Sequence, residues 1–295
     1  MRNRSVISIL AFVAILTCLP ITSCAPTAPS SESQASEKPA WLPCPQCQND
    51  EEIAAARAKA ADLPFDPRDL SGVWGQNRVQ LSTPAPPLTP LGQKLYDATK
   101  AEAAADGSFE VTNTKDGMLI CDPLGWPRWF TYNYGFEFAH LPKRVVQFIE
   151  WGHLWRDIWT DGRALPENPE PRWLGYSVGR WEGDTFVIES NGFDDRSWLS
   201  ENRQDRRWGW PHSDQLRTEE RYRRVNHNTL EVTLTIIDPQ VYTKPWVTVD
   251  KFFLSPGTEI GEYFCVPSEF NQFNNELLIP SEKLRPTAIG PTAKR

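Results

Sequence analysis

The chain of 295 residues lacks a long apolar run, since no stretch reaches the about 18 consecutive apolar residues of a membrane-spanning helix. Positively charged residues are also outnumbered, since the chain has 31 Lys and Arg and 38 Asp and Glu, which gives a net charge of −7. Nucleic acids are bound through clustered Lys and Arg, so this composition argues against nucleic acid as the main partner.

Histidine is scarce, and the common metal and nucleotide motifs are missing. The four His are His140, His153, His212 and His227. No two of them have the spacing of neighbouring ligands on one strand or helix. Neither a Gly-rich phosphate loop nor a dinucleotide fingerprint is present. We therefore predict no metal site and no cofactor.

Tryptophan is abundant, with 13 residues against only 2 Met. Hydrophobic residues make up 40% of the chain and charged residues 23%, which is typical of a globular protein. Trp is large and half polar, and it is enriched both in cores and at binding surfaces. Twelve of the 13 lie between Trp74 and Trp246. We expect part of this set to form the core, starting with Trp74, and part to line or rim a pocket.

Residues 1–23 resemble the signal peptide of a bacterial lipoprotein. Its three parts are the basic Arg2 and Arg4, the mostly apolar Val6 to Leu19, and the lipobox-like Ile21-Thr22-Ser23-Cys24. The resemblance implies cleavage before Cys24, a lipid on its thiol, and anchoring in the outer or inner membrane. Ala25 after the Cys favours the outer membrane. An ordinary signal peptide with an incidental Cys24 is the alternative; the lipoprotein interpretation places the protein in the cell envelope, facing the periplasm.

Export would allow disulfides to form. Cys44-Pro45-Gln46-Cys47 is a CxxC motif, which suits a metal knuckle, a redox pair or a small-loop disulfide. No second CxxC and no local His completes a zinc site, which favours the disulfide. Cys121 and Cys265 then pair by elimination, and their bond would tie the start of the core to its end.

The chain divides into a signal, a linker, a helix, a β-rich domain and a tail. The predicted boundaries are 1–23 for the signal, 24–48 for a flexible tether, 49–65 for a peripheral helix, 66–279 for the β domain and 280–295 for a loose tail. Within the β domain, Thr89-Pro90 is typical of a helix start and predicts a second helix to Ala105.

Strand patterns with short connections dominate the β domain. The segments predicted as strands, besides one around Gly72-Val73-Trp74, are 144–150, 153–160, 174–181, 185–190, 216–225, 229–237, 246–254 and 259–265. Short connections favour antiparallel neighbours. The predicted fold class is therefore mainly β: an antiparallel lipocalin-like barrel or curved meander with one or two peripheral helices. A β-sandwich or an irregular barrel without a cavity is the alternative.

Gly72-Val73-Trp74 on the first strand resembles the lipocalin signature, in which the Trp closes one end of a barrel whose other end opens on a ligand cavity. Most of residues 69–265 also resembles a larger family of secreted bacterial lipocalin-like (calycin-like) proteins. The matching stretches are DLSGVW (69–74), PPLTPLG (86–92), CDPLGWPR (121–128), HLWRDIWTDGRALP (153–166), GYSVGRWEGDT (175–185), GFDDRSWL (192–199), PHSDQLRTEERYRR (211–224) and TLEVTLTIIDPQVYTKPW (229–246). The resemblance implies an exported β architecture and supplies no reaction.

The segment 153–159 carries the first candidate site. Strand periodicity places His153, Trp155, Asp157 and Trp159 on one face and Arg156 on the other. If the first set faces the barrel interior, it forms an aromatic wall with one His and one carboxylate, which suits an aromatic, apolar or saccharide ligand. The alternative is that the aromatic side chains pack and the polar ones face solvent.

A second set of candidates lies in loops and at a strand end. His212-Ser213-Asp214 is a poor triad, since adjacent residues point apart along the chain, but His212 could reach a cavity mouth and act as acid or base. Tyr176 and Arg156 are possible ligand contacts, and Lys244 could bind an anion or lie on an aromatic face. A loop turn around His212 and a solvated Lys244 are the alternatives.

The charged strand 216–225 has ionisable residues on both faces, which indicates either an edge strand or a strand that lines a polar cavity. The function predicted first is a lipid-anchored protein that binds a small aromatic, apolar or saccharide ligand. The second is an exported enzyme using acid/base chemistry (hydrolase, lyase or isomerase) through His153, Asp157 and His212. The third is an envelope protein whose partner is another protein.

Overall fold

The computed structural model describes residues 50–75, 78–100, 116–200 and 209–266. The predicted signal with Cys24, the tether with its CxxC pair and the tail from residue 280 lie outside these ranges. So do residue 49, the first of the predicted peripheral helix, and the end of the second predicted helix beyond Lys100. Within the described ranges, no helix is long and apolar enough to cross a membrane.

Two α-helices are present in the described ranges, α1 (Asp50–Lys59) and α2 (Pro90–Ala98). The start of α2 is the one predicted, because the Thr89 hydroxyl oxygen accepts the backbone N–H of Gly92 at 2.9 Å and Pro90 occupies the first helical position. Two short 3₁₀ turns, Gly117–Ile120 and Arg128–Thr131, precede the main run of strands.

Nine strands close into one barrel in chain order, with the last strand paired to the first. The strands are β1 (Val73–Gly75), β2 (Phe136–Leu141), β3 (Arg144–Ile149), β4 (Leu154–Trp159), β5 (Tyr176–Glu182), β6 (Thr185–Asn191), β7 (Arg217–Asn226), β8 (Thr229–Ile237) and β9 (Trp246–Leu254). The mainly-β barrel with two short helices is thereby confirmed. Tight turns around Trp151-Gly152 and at Gly183-Asp184 join neighbouring antiparallel strands, as the short connections between the predicted segments indicate.

One junction of the barrel is parallel. A closed ring with an odd number of strands cannot alternate in direction at every junction, so at least one neighbouring pair must run the same way. That pair is β4 and β5, with Ile158 opposite Ser177, while the other junctions are antiparallel. Residues 160–175 carry the chain across this junction. The expectation of a wholly antiparallel barrel is therefore wrong here, and the barrel is mixed.

The prediction of a strand over residues 259–265 is also wrong. Strand β9 pairs with β8 on one side and with β1 on the other, so the closed barrel offers no free edge there. The segment instead returns along the β3–β4 turn, where Tyr263 forms an isolated bridge with Trp151 and packs against its ring. The barrel instead contains a strand that was not among the predicted segments, β2, whose Phe136 and Phe138 point into the barrel.

Aromatic side chains fill the barrel. Trp74 is fully buried, and its indole N–H donates to the Leu70 carbonyl at 2.9 Å, as expected for a Trp that begins the core. The connection Leu124–Phe130 is buried along its whole length and enters the barrel. The rings of Trp126, Trp129 and Phe130 contact one another there. Because ring packing of this kind occupies the interior, the described residues leave no open barrel cavity of the kind that the lipocalin resemblance implies.

A disulfide joins Cys121 to Cys265, with their Cα atoms 5.5 Å apart and 144 positions apart in sequence. The predicted pairing is confirmed. The bond joins the segment before the barrel plug, which is the buried connection Leu124–Phe130, to the segment that follows β9. A disulfide of this kind is typical of proteins in an oxidising compartment outside the cytoplasm.

Candidate functional site: a lateral cleft beside a filled barrel

A buried polar network lies inside the barrel. The Arg156 guanidinium donates to both carboxylate oxygens of Glu220, at 2.9 and 2.7 Å, and to the Gln147 amide oxygen at 2.7 Å. The Tyr222 hydroxyl donates to Glu220 at 2.8 Å, and the Trp126 ring lies 4.0 Å from the Arg156 guanidinium carbon. Although burial disfavours the charged form, the Glu220 carboxylate raises the pKa of Arg156 above its usual value.

The register of β7 explains why this strand carries so many charges. Thr218, Glu220 and Tyr222 lie opposite inward-facing residues of β6 and are buried, whereas Glu219 and Arg221 alternate with them on the outer surface. The strand is therefore not an edge strand. Its inner face supplies Glu220 to the buried ion pair with Arg156 and does not line an open cavity. Arg156 has almost no exposed surface, so the ligand contact predicted for it would require the barrel to open.

The predicted aromatic wall is on the outside of the barrel. Gln147 faces inward and pairs with Arg156, which fixes Arg156 inside and turns Trp155, Asp157 and Trp159 outward. His153 is exposed in the turn that precedes β4. Trp155 is 62% exposed. An interior wall built from 153–159 is therefore wrong, because the register turns the set that includes Leu154 and Ile158 inward.

The outward side chains have local partners on the barrel surface. Asp157 forms an ion pair with Arg144 at 3.1 Å, and the guanidinium of Arg163 lies 3.6 Å from the centre of the Trp159 ring. His153 sits in the β3–β4 turn with its ring edge-on to Phe264. The catalytic and ligand-binding roles predicted for these residues stay predictions, and none of them lines the cleft described below.

Two further predicted contacts also lie on the outer surface. Tyr176 points outward on β5, with the Arg172 guanidinium 4.1 Å from its ring centre, and Lys244 is exposed in the loop before β9. Tyr176 precedes Ser177 in Gly175-Tyr176-Ser177-Val178-Gly179, which matches the pattern of a hydrolase nucleophile elbow. Ser177, however, lies within a strand, buried in the barrel and 2.8 Å from the Ser190 hydroxyl, and not at a strand-to-helix turn.

His212 is the predicted residue that the structure places at a cavity. It is buried in the loop before β7, and it is one of the residues that line a lateral cleft of about 690 Å³. The cleft lies between α2, the 3₁₀ turn at 117–120, the loop 195–198 and the loop 211–214. The barrel thus carries a cavity against its side, built by the connections and not by the strands.

The cleft has an apolar side and a polar side. Leu91 and Leu95 of α2, together with Ile120 and Trp198, supply the apolar surface. Three carboxylates, Asp122, Asp195 and Asp214, share the remaining surface with Arg196 and His212. Arg196 is already held by Asp194 through two contacts of 2.9 and 2.7 Å, so the cleft carries an excess of negative charge.

Helix α2 is held in place as one wall of the cleft by contacts at its N-terminus. The Thr89 backbone N–H donates to the Val241 carbonyl at 2.9 Å, and the Thr89 hydroxyl donates to the Gln240 carbonyl. Gly92 lies directly against Val241. This close approach of two backbones fixes the distance between α2 and the loop after β8.

Replacing Gly92 by Ala is expected to destabilise the protein by about 1–3 kcal/mol, because a Cβ there would lie 2.2 Å from the Val241 carbonyl oxygen. This expected change in stability is opposite in sign to the effect of helix propensity, which favours Ala over Gly by about 1 kcal/mol. Urea unfolding measures the change. Gln93→Ala, an exposed neighbour on the same helix, is the control and should shift stability by about 0.5 kcal/mol or less. A Gly92→Ala protein as stable as the control would contradict the described docking.

A chain of hydrogen bonds runs beneath the polar side of the cleft. The buried Asp238 carboxylate accepts the Ser213 backbone N–H at 2.6 Å and the Ser213 hydroxyl at 2.9 Å. The Ser213 carbonyl lies 3.0 Å from His212 Nδ1, and His212 Nε2 lies 3.0 Å from the Ser197 hydroxyl. Burial lowers the pKa of His212, although Ser213 and nearby carboxylates including Asp238 oppose the shift. His212 is thus a neutral, oriented imidazole at neutral pH.

Acidification below about pH 6.5 is expected to reduce stability through His212. Its pKa is lowered in the folded state, so below the ordinary value of 6.5 the unfolded chain binds a proton more readily. The stability that the folded protein gains from keeping His212 neutral is complete above pH 6.5, and it is lost as the pH falls through the lowered pKa of His212. Urea unfolding between pH 7.5 and about 5 measures it. Because burial also lowers the pKa of His140, the comparison uses a His140→Gln background. Adding His212→Gln should flatten the pH dependence; an unchanged slope would contradict the assignment.

Comparison of the chain with protein-family models gives no match, and no curated protein matches it. The resemblance to secreted lipocalin-like proteins therefore stays a prediction. The fold is a closed nine-stranded mixed barrel with a buried aromatic cluster, and this architecture is compatible with ligand binding. Within the described residues, no group of three or more His, Cys, Asp or Glu side chains is arranged to hold a metal ion.

Proposed function

We propose that the protein is an exported ligand-binding protein whose binding site is the lateral cleft between α2 and the loops 195–198 and 211–214. The observation that carries this proposal is the cleft itself. Its volume of about 690 Å³ falls in the range of small-molecule sites, and the barrel interior is occupied by aromatic side chains.

The lining indicates a ligand with an apolar or aromatic body and a few polar groups. Trp198 offers a ring for stacking, and Leu91, Leu95 and Ile120 offer apolar contact. The carboxylates on the other side accept hydrogen bonds from hydroxyl or ammonium groups and repel anions. A small aromatic molecule or a saccharide satisfies both sides, whereas a phosphate or carboxylate ligand does not.

Export is supported by the Cys121–Cys265 disulfide and by the resemblance of residues 1–23 to a signal peptide, and lipid anchoring at Cys24 is part of the proposal. Its test is the distribution of the full chain between membrane and soluble envelope fractions. The wild type is expected with the membranes, and Cys24→Ser is expected in the soluble fraction. A wild type found wholly in the soluble fraction would contradict the anchor while leaving the cleft proposal untouched.

Binding in the cleft is tested by blocking it. The probes are the neutral fluorophore N-phenyl-1-naphthylamine and, by calorimetry, a set of neutral trisaccharides. Ala98 is exposed and lines the cleft, so Ala98→Trp should fill it without disturbing the core. The wild type is expected to bind at least one probe saturably. Ala98→Trp is expected to weaken that binding at least about tenfold, which corresponds to 1.4 kcal/mol. Gln93→Trp, outside the lining of the same helix, is the matched control and should bind as the wild type does.

A pair of Trp variants separates the cleft from the outer aromatic surface. Trp198→Leu removes the ring in the cleft, and Trp155→Leu removes the exposed ring that the sequence predicted as a ligand contact. The proposal predicts weaker binding only for Trp198→Leu. Loss of binding in Trp155→Leu with no change in Trp198→Leu, or no binding of any probe by the wild type, would contradict it.

The enzyme alternative from the sequence has less geometric support than binding. Its three acid/base residues are not gathered in the cleft, since His153 lies in the β3–β4 turn and Asp157 faces outward on the opposite side of β4 from Arg156. His212 alone of the three lines the cleft. Any chemistry in the cleft must therefore use His212 with partners that the sequence did not single out.

A further inference from the structure

A second, smaller pocket lies directly beside the cleft. Its volume is about 230 Å³. One wall comes from the β4–β5 connection, at residues 167–169 and 171, and the other comes from residues 191–193 and 214–217. Asp214 lines both the pocket and the cleft. The two cavities therefore meet at this residue.

The cavities follow one another along the same pair of segments. Strand β6 ends at Asn191, opposite Arg217 at the start of β7. Beyond Asn191, the chain lines the pocket as far as Phe193 and the cleft from Asp195 onward. Two residues of chain span at most about 7 Å, so this step from one cavity to the other is short. A single ligand of two joined parts can therefore enter both.

The walls of the pocket are fastened to each other. The Asn191 side-chain amide donates to the Pro166 carbonyl at 2.8 Å, and the Arg172 backbone N–H donates to the Gly192 carbonyl at 2.9 Å. Gly192 lies against Pro169, because a Cβ added to this glycine would come within 2.7 Å of the proline ring. The pocket is thus preformed, which lowers the entropic cost of filling it.

One residue of the pocket wall carries an unpaired hydrogen-bond acceptor. Asn191 is only 5% exposed, and its Oδ1 has no hydrogen-bond partner among the described residues. The Pro166 carbonyl can only accept, so it must face the Asn191 NH₂ group, and Oδ1 is left as the unsatisfied atom. An unsatisfied buried acceptor is costly, and an N–H or O–H donor of a ligand would relieve that cost.

The exposed residues of the lining mix donors with acceptors. Glu167 and Asp214 supply carboxylates, Asn168 and Gln215 supply amides, and Arg217 supplies a guanidinium. Each hydroxyl of a sugar both donates and accepts, so it can use both kinds of group. An ammonium group only donates and would face Arg217, whereas an anion would face the two carboxylates. The lining therefore suits a neutral polyhydroxylated ring.

We propose that the pocket binds one sugar ring of a neutral glycoside whose apolar aglycone lies in the cleft. This inference rests on the proposed binding function of the cleft and names its ligand class. The aglycone contacts the surface of Leu91, Leu95 and Trp198. The sugar hydroxyls contact the polar lining of the pocket, and Asp214 lies where the two parts of the ligand join.

Calorimetric titration of the full chain tests the pocket with 2-naphthol and with the 2-naphthyl β-glycosides of glucose, galactose and N-acetylglucosamine. At least one glycoside is expected to bind at least about tenfold more tightly than 2-naphthol, which corresponds to 1.4 kcal/mol. Asn168→Trp fills the pocket from an exposed position and should remove this gain while 2-naphthol binds as before. Glu170→Trp is the matched control, exposed on the same connection but outside the pocket lining, and should keep the gain.

A second variant removes hydrogen-bonding groups without adding bulk. Gln215→Ala combined with Arg217→Ala changes two exposed side chains of the pocket lining. It should weaken glycoside binding at least about threefold and leave 2-naphthol binding unchanged. Unchanged binding of 2-naphthol also shows that each variant is folded, because the cleft is then intact.

Three results would count against the pocket. If the wild type binds 2-naphthol and no glycoside binds more tightly, the inference is overturned and the binding function of the cleft stands. The same holds if both pocket variants keep the gain, or if both weaken 2-naphthol as much as they weaken the glycoside. If the wild type binds neither 2-naphthol nor any glycoside, the proposed function fails and the inference falls with it.

Discussion

Replacing Glu220 by Gln is expected to lower the free energy of unfolding by about 3–5 kcal/mol, the largest effect we predict for a single substitution. The Arg156 guanidinium would remain inside the barrel without its carboxylate, and Tyr222 and Gln147 offer no compensating negative charge. Gln preserves the shape of the side chain, so the loss reports charge and not volume. Equilibrium unfolding in urea at pH 7 measures it.

The control for this prediction is on the same strand. Glu219→Gln removes a carboxylate that faces solvent beside Arg221, and it should cost about 0.5 kcal/mol or less. The double replacement of Arg156 by Met and Glu220 by Leu should recover most of the loss, because it removes both buried charges together. A Glu220→Gln protein that unfolds at the same urea concentration as Glu219→Gln would show that the ion pair is not buried as described.

Removing the disulfide by Cys121→Ser with Cys265→Ser is expected to cost about 4–5 kcal/mol. The bond closes a loop of 144 positions, and the chain-entropy account of cross-links gives about 5 kcal/mol for a loop of that length. The replacement frees the segment that leads into the barrel plug from the segment after β9. Urea unfolding of the double variant against the oxidised wild type measures the difference.

Reduction gives an independent check of the same bond. The wild type in strong reductant should unfold at the same urea concentration as the double variant, and reductant should leave the double variant unchanged. Equal stability of oxidised wild type and double variant would contradict a stabilising Cys121–Cys265 bond.

Local patterns were sufficient to predict most strands. Alternating apolar residues and turn pairs such as Gly183-Asp184 place β3 to β9 within one or two residues of their observed limits. The parallel pairing of β4 with β5 was beyond local reasoning, because it follows from closure of an odd-numbered ring. The false strand at 259–265 has the same origin: its pattern is strand-like, but both edges of β9 are already occupied.

The faces of the strands could not be settled from periodicity alone. The pattern at 154–159 separates two sets of residues correctly, yet it does not say which set faces inward. His153, which the alternation grouped with Trp155, lies in the turn before the strand. The inward face is determined by Glu220, which lies on a strand far along the chain. Its ion pair with Arg156 holds Arg156 inside the barrel, so Trp155 faces outward. An Arg on an otherwise apolar strand face, with a Glu on the inward face of another strand, was the available signal.

The cleft was harder still to predict, because loops build it. His212 was singled out as a residue that reaches a cavity mouth, and it does line one. Its partner Ser197 lies 15 positions earlier in GFDDRSWL with no motif to mark it, and the pairing depends on how two connections fold together. Trp198 beside it belongs to the Trp-rich composition, which indicates a binding surface without locating it.

The location of the ligand site is tested most directly by anomalous diffraction from crystals soaked in 4-bromophenol, a small aromatic probe with a heavy atom. The cleft is expected to hold the bromine signal beside Trp198, between Leu95 of α2 and the loop that carries His212. A bromine signal inside the barrel, among Trp126, Phe138 and Tyr222, would contradict a filled interior and return the binding site to the barrel.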